Sequence, residues 1–491
     1  MTLLDRPPVV DTRPGNPPAA TGPATPVPDA EQGDRIGLPG ATALVIGSII
    51  GTGIFTVPAA LAGFGTIGIV AFVIVSIGAI FLAVMYGSLA KRRPEAGGPY
   101  AYARDAFGEF AGFTNAWSYW LTSWAGNAAI VTGWVLYVVV FFDGAFGWTL
   151  SSTAWLITFA MVGLWLPAVV NLLGVRQMDW FQTFTTVAKF LPLAFVATVG
   201  LFFVRADNFG PFNVSGDNWF GAISSAGVVV LFAFLGVETA SIAAARVRNP
   251  ERNVPRATII GTLASALVYV LSTVAIFGVV GPKALAESTA VGAPFVDTFA
   301  KILGSSSFGW AVALVAVISG IGALNGWTMI CAEMPYAAAR DRVFPKAFAW
   351  TTKHDVPWFG IISAAALASV ATIYSYQGEG GLNAFLTLVY LTGVTAAVPY
   401  FFSALAQVYF LFTDPERVSP ARMALDCFVA IVAGIFSLWF VYGSGSDATY
   451  WAFLMILAGF AVYAVMRIID RRRPADGLAV ESRSPEASLT R

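Results

Sequence analysis

Charge is what this sequence has least of. Only 11% of its 491 residues are Asp, Glu, Lys or Arg, against roughly 25% in a soluble globular domain, and so sparse a set cannot solvate the surface of a soluble protein this long. Histidine is nearly absent: His354 is the single one. Without a His/Asp/Glu set or a serine–histidine pair in the apolar segments, metal-assisted and serine-type enzyme chemistry have no starting point, and no cofactor is expected. The two cysteines, Cys331 and Cys427, both fall in apolar stretches, which points to small buried hydrophobes and away from a disulfide framework. Net charge is lacking too, with 28 basic and 28 acidic residues, so no global field suggests nucleic acid as a partner. The first 35 residues are rich in proline between Pro14 and Pro28 and lack the apolar core of a signal peptide. They are expected to form a disordered cytoplasmic tail, with a second tail over 469–491.

Apolar runs are what the chain has in quantity. At 57% hydrophobic residues it repeats segments of about 20 residues, enough to cross a hydrocarbon core of about 30 Å as helix. Hydropathy predicts twelve spans, at roughly 39–64, 67–90, 110–142, 153–173, 180–204, 218–245, 256–281, 308–340, 358–375, 382–412, 424–442 and 448–468. Arginine and lysine test that number. The loops after the even-numbered spans hold fifteen basic residues, from Lys91 to Arg422, and the alternate loops hold only Arg205, Lys283 and Lys301. A missed or invented span would scramble this asymmetry downstream. The positive-inside rule therefore places both termini in the cytoplasm, for a multi-pass protein of the inner membrane.

Two segments break the apolar pattern. Gly47, Gly51 and Gly53 fall within seven residues of the first span, where each glycine weakens a helix by up to about 1 kcal/mol. The Gly47/Gly51 pair fits close helix packing. It equally fits an unwound break whose freed N–H and C=O groups would face an anion and a cation, as an α-amino acid presents both. In the sixth span Gly236 precedes Glu238, an acid deep in apolar surroundings that insertion scales charge at least about 2.5 kcal/mol for. It is expected to face the bundle interior and to exchange a proton, the alternative being a structural hydrogen bond to neighbouring backbone. Interruptions in the first and sixth of twelve spans sit at corresponding places in two five-helix halves, the arrangement of inverted-repeat transporters.

The run Gly47 to Phe55, the stretches Gly97-Gly98-Pro99-Tyr100-Ala101-Tyr102-Ala103-Arg104, Trp124-Ala125-Gly126-Asn127 and Gly236-Val237-Glu238, then Asn249 through Pro255, Gly326-Trp327-Thr328 and Gly443-Ser444-Gly445 occur in the order and register of one family. On these pieces the chain resembles the amino acid–polyamine–organocation superfamily. Within it, the chain is similar to the basic amino acid and polyamine antiporters, the arginine/agmatine type above all. The resemblance implies an all-α integral membrane protein of twelve transmembrane helices, a five-plus-five inverted repeat with helices one and six broken. The transporter domain would run over 36–468, with repeats at about 39–204 and 218–412 and two extra helices at 424–468. It implies a small-molecule substrate, an amino acid or amine, moved through the lipid bilayer by alternating access, and it allows a homodimer.

Carried over residue by residue, the resemblance puts a substrate carboxylate at Thr52 and the amide of Gly53, beside Gly51. The α-amino group would meet the carbonyls of Ile49, Phe232 and Leu235, and the distal group Asn127. Trp327 would be an aromatic wall or gate, and Glu238 the acid beside the break. Two departures bear on specificity: Phe232 stands where those antiporters stack a tryptophan on a guanidinium, and Ser48 where they carry an asparagine. Phe is the weaker cation–π partner, so arginine specificity does not carry over. Lys189, well inside the fifth span, is more similar to the large neutral amino acid exchangers and their proton-coupled bacterial relatives, where a lysine replaces a sodium ion. Its alternative is a lysine reaching a watery vestibule without coupling. The expectation is sodium-independent exchange or proton coupling. A putrescine permease and a non-transporting amino acid sensor on the same scaffold remain open alternatives.

Overall fold

The computed structural model describes residues 36–51, 53–94, 97–174, 179–242, 244, 247–287, 293–377, 381–414 and 419–472, with side chains undescribed at 53, 179–183 and 470–472. Helix is the only extended regular structure among them; the one β-bridge, Ile36 with Val247, is isolated. A backbone in hydrocarbon has no water to bond, so each apolar segment satisfies itself as helix.

The chain opens with α1 (Leu38–Ile49) and α2 (Gly53–Ala62), separated at Ile50 and Gly51. Next come α3 (Ile67–Arg92), a short α4 (Pro99–Phe107), α5 (Glu109–Phe146), α6 (Thr153–Leu172) and α7 (Asp179–Thr198). The second half begins with α8 (Trp219–Phe234), a turn, and α9 (Thr239–Ile242), then α10 (Pro250–Val279) and the short α11 (Pro282–Glu287) and α12 (Pro294–Leu303). It closes with α13 (Ser306–Arg340), α14 (Trp358–Tyr376), α15 (Gly381–Thr413), α16 (Pro420–Gly443) and α17 (Gly445–Arg472). Ten stretches among the described residues, counting Leu38–Ala62 as one, are long and apolar enough to cross a membrane. The fifth expected span is α7, whose residues Phe184–Thr198 are an apolar helix, and the sixth appears as the shorter apolar helix Trp219–Phe234. In the sixth the cause is visible. Gly236 takes φ +106°, a left-handed conformation that no helix continues through.

The core lies around α5, which packs against α13 and α15 and is buried on nearly every face from Ala111 to Val138. Against this centre α1 lies along α10, while α3 lies between α8 and α10. Burial falls off outward, and α17 turns Trp451, Phe453, Leu457 and Ile468 outward, as a lipid-facing helix should. Ion pairs tie several helix ends together. Arg93 pairs with Asp414 at 2.5 Å and Arg92 with Asp426 at 3.6 Å, joining the ends of α3, α15 and α16. Tyr100 donates to Asp341 at 2.9 Å, and Arg104 pairs with the same carboxylate, so α4 is fastened to the end of α13. Burial pushes the Tyr100 phenol up, which keeps it a donor.

Candidate functional site

The two interruptions meet. A Cβ built on Gly236 would stand 3.0 Å from the carbonyl carbon, the oxygen and the Cβ of Ser48, so the turn after α8 is pressed onto the last turn of α1 with no room for a side chain. Beside this junction lies a narrow cleft, partly open to solvent. Its walls are Ser48, Ile49, Gly51 and Ile54 from the first interrupted helix, Phe232, Ala233 and Leu235 from the second, Gly126 and Ile130 from α5, and Trp327 from α13. Ser48, Ile49, Gly51, Phe232, Leu235 and Trp327, named from the sequence, thus converge on one cavity. Thr52 lies outside the described residues, and Gly53 begins α2, where the first helical amides have no partner within the helix.

Tyrosine hydroxyls hold the interrupted helices in place. Tyr269 of α10 donates to the carbonyl of Ile49 at 2.9 Å, and the amide of Gly51 reaches the same oxygen at 2.7 Å. The carbonyl that the sequence offered to a substrate amine is therefore engaged by protein groups. Tyr137 of α5 donates to the carbonyl of Phe55 at 2.7 Å and anchors α2. In the second break Tyr119 and Tyr400 donate to the two carboxylate oxygens of Glu238 at 2.8 and 3.1 Å. Glu238 is 1% exposed and is absent from the described lining of the cleft. A hydrogen bond contributes about 0.5–1.5 kcal/mol, so two of them hold the acid in place.

Lys189, also 1% exposed, extends from α7 to donate to the carbonyl of Gly47 at 2.8 Å. Its Nζ thus serves the end of α1, where helical carbonyls run out of intrahelical partners. Asn127 follows the cleft-lining Gly126 but does not itself line the cleft; its amide donates to Thr328 Oγ1 at 3.2 Å, tying α5 to α13 beside Trp327. Its Oδ1 is buried without a hydrogen-bond partner. Phe232 meets Phe385 edge to face at 5.6 Å between centroids.

Sequence reasoning missed the four tyrosines and the apolar wall of Ile54, Ile130 and Ala233. A signal for the tyrosines existed. A phenol in the middle of an apolar span must find a partner, and Tyr119, Tyr137, Tyr269 and Tyr400 all lie inside predicted spans.

Residues 36–466 match the family described as Amino acid permease. The chain is 29% identical over 451 residues to the arginine/ornithine antiporter of Pseudomonas aeruginosa, covering 88% of this chain and 91% of that protein. It is 30% identical over 439 residues to the putrescine transporter PotE of Escherichia coli K12, with 88% and 96% covered. To the cadaverine/lysine antiporter of the same strain it is 31% identical over 384 residues, with 77% and 84% covered.

Proposed function

The chain belongs to the amino acid permease family of the amino acid–polyamine–organocation superfamily, and on that premise we propose that it is a secondary active transporter of amino acids or amines, working by alternating access across a bacterial inner membrane. The observation that carries this reading is the contact of Gly236 with Ser48 beside a cleft, deep in a lipid-facing bundle. Two half-helices ending at one place put unpaired amides and carbonyls where a zwitterion can use both. In this reading the substrate carboxylate meets the first amides of α2, with Gly53 and Thr52. Its ammonium meets the carbonyls of Phe232 and Leu235, since that of Ile49 is engaged by Tyr269.

The twelve helical segments form two five-helix repeats followed by α16 and α17, and the interrupted helices rock against α5 and α13. Both termini are cytoplasmic in this scheme, as the placement of basic residues requires. The bond from Lys189 to Gly47 supports sodium independence, because a tethered cation already serves the end of α1. Coupling is then to a second solute or to protons. The relatives' names, an arginine/ornithine antiporter, a cadaverine/lysine antiporter and a putrescine transporter, favour exchange, and a diamine carrier is the second reading they support.

The test is counterflow. Purified protein in liposomes loaded with an unlabelled amino acid or amine should accumulate the labelled one from outside. Binding with no flux would replace the transporter with a sensor.

A further inference from the structure

The cleft is apolar almost throughout. Among its described lining residues Ser48 carries the only polar side-chain group apart from the indole nitrogen of Trp327, and its hydroxyl proton is already given to the carbonyl of Leu44 at 2.8 Å. Ile54, Ile130, Ala233, Phe232 and Trp327 make up the wall, and no carboxylate stands among the described lining residues. The acid of the second break stands off this wall: Glu238 is 1% exposed, is held by two tyrosine hydroxyls and is not among the described lining residues. Asn127 keeps one unpartnered acceptor, Oδ1, but lies off the wall.

Resting on the transporter reading above, we propose that the substrate is an α-amino acid with an uncharged, apolar side chain, aliphatic or aromatic, and not a diamine or a cationic amino acid. An ammonium or guanidinium entering this wall loses its hydration and finds no counter-ion. The ring faces of Phe232 and Trp327 return only part of that loss. A diamine is worse placed, because it brings a second cation and has no carboxylate for the amides at the start of α2. A hydrocarbon side chain gains from the same wall by leaving water. Gly126 sets the room available. A Cβ there would meet the Phe232 ring at 4.0 Å and Thr392 at 3.9 Å, ordinary contacts, so alanine fits the fold while taking space from the cleft.

The experiment uses the full chain in liposomes loaded in turn with alanine, leucine, phenylalanine, arginine, ornithine and putrescine, with counterflow of the labelled form of each and competition among them. Leucine or phenylalanine should be carried, with arginine, ornithine and putrescine competing at least about 100-fold more weakly. One methylene in an apolar pocket changes selectivity by roughly 10- to 200-fold. Gly126→Ala should therefore lower phenylalanine flux at least about tenfold more than alanine flux, an imbalance that general damage to the fold would not produce. Flux of arginine, ornithine or putrescine unopposed by leucine and phenylalanine overturns the proposal and leaves the transporter reading intact. Equal losses for all substrates in Gly126→Ala overturn the assignment of the size limit to this position. Absence of counterflow for every probe, from protein that remains monodisperse, removes the transporter reading and this inference with it.

Discussion

Replacing Gly236 with alanine puts a methyl group where the two interrupted helices touch. The cost has two parts. At φ +106° the backbone is in a region that L-residues rarely adopt, and holding a non-glycine residue in such a place costs about 1–3 kcal/mol. The new methyl would also stand 3.0 Å from three atoms of Ser48, two of them backbone and the third the Cβ bonded to it, none able to swing aside; overpacking of this kind costs about 1–3 kcal/mol more. Together these give about 2–6 kcal/mol, set against the geometry of the cleft. Even the lower figure is roughly a thirtyfold change in the population of the joined arrangement. Gly216→Ala is the control, since Gly216 has φ +81° but nothing within 4 Å of a built Cβ, so it carries the backbone penalty without the clash. Counterflow should fall at least about thirtyfold in Gly236→Ala and stay within about twofold of the parent in Gly216→Ala, with both variants present in the membrane at parental levels. Parental flux in Gly236→Ala would refute the idea that the contact of the two breaks shapes the site.

Three further outcomes are expected. Glu238→Gln keeps the size of the side chain but cannot titrate, so substrate binding should survive while the pH dependence of flux flattens; a variant with the parental pH profile would rule out proton linkage at this position. Flux should persist with sodium replaced by choline and be lost in Lys189→Met, which removes the cation from the Gly47 carbonyl; strict sodium dependence in the parent would contradict the tethered-cation scheme. Tyr269→Phe deletes one hydrogen bond to Ile49, worth about 0.5–1.5 kcal/mol, and should weaken substrate binding by roughly two- to tenfold in titration calorimetry; an unchanged Kd would mean that this latch does not set the shape of the first break.

Some of this protein was decided by the sequence alone, because the physics involved is local. An apolar run in lipid has no alternative to helix, so the predicted ends of α3, α5, α6, α13, α14 and α15 lie within four residues of those observed. Glycine weakens a helix from within, and Gly51 and Gly236 mark both breaks. The residues around them could be named for the same reason: Ser48, Ile49, Phe232 and Leu235 lie within four positions of a glycine on the chain.

What each polar group bonds to was left to the tertiary structure, since partners in a bundle come from distant segments. Glu238 meets Tyr119 and Tyr400, 119 and 162 positions away, and Ile49 meets Tyr269 across 220. No periodicity reports such distances. Asn127 shows the same limit from the other side. Its place next to Gly126 suggested the cleft, yet a rotation of about 100° per residue around a helix separates neighbours in sequence onto different faces, and its amide reaches Thr328 on α13. The sequence could say which residues are costly to bury; only the packing of the helices against one another decided which group satisfies each of them, and left the wall of the cleft apolar.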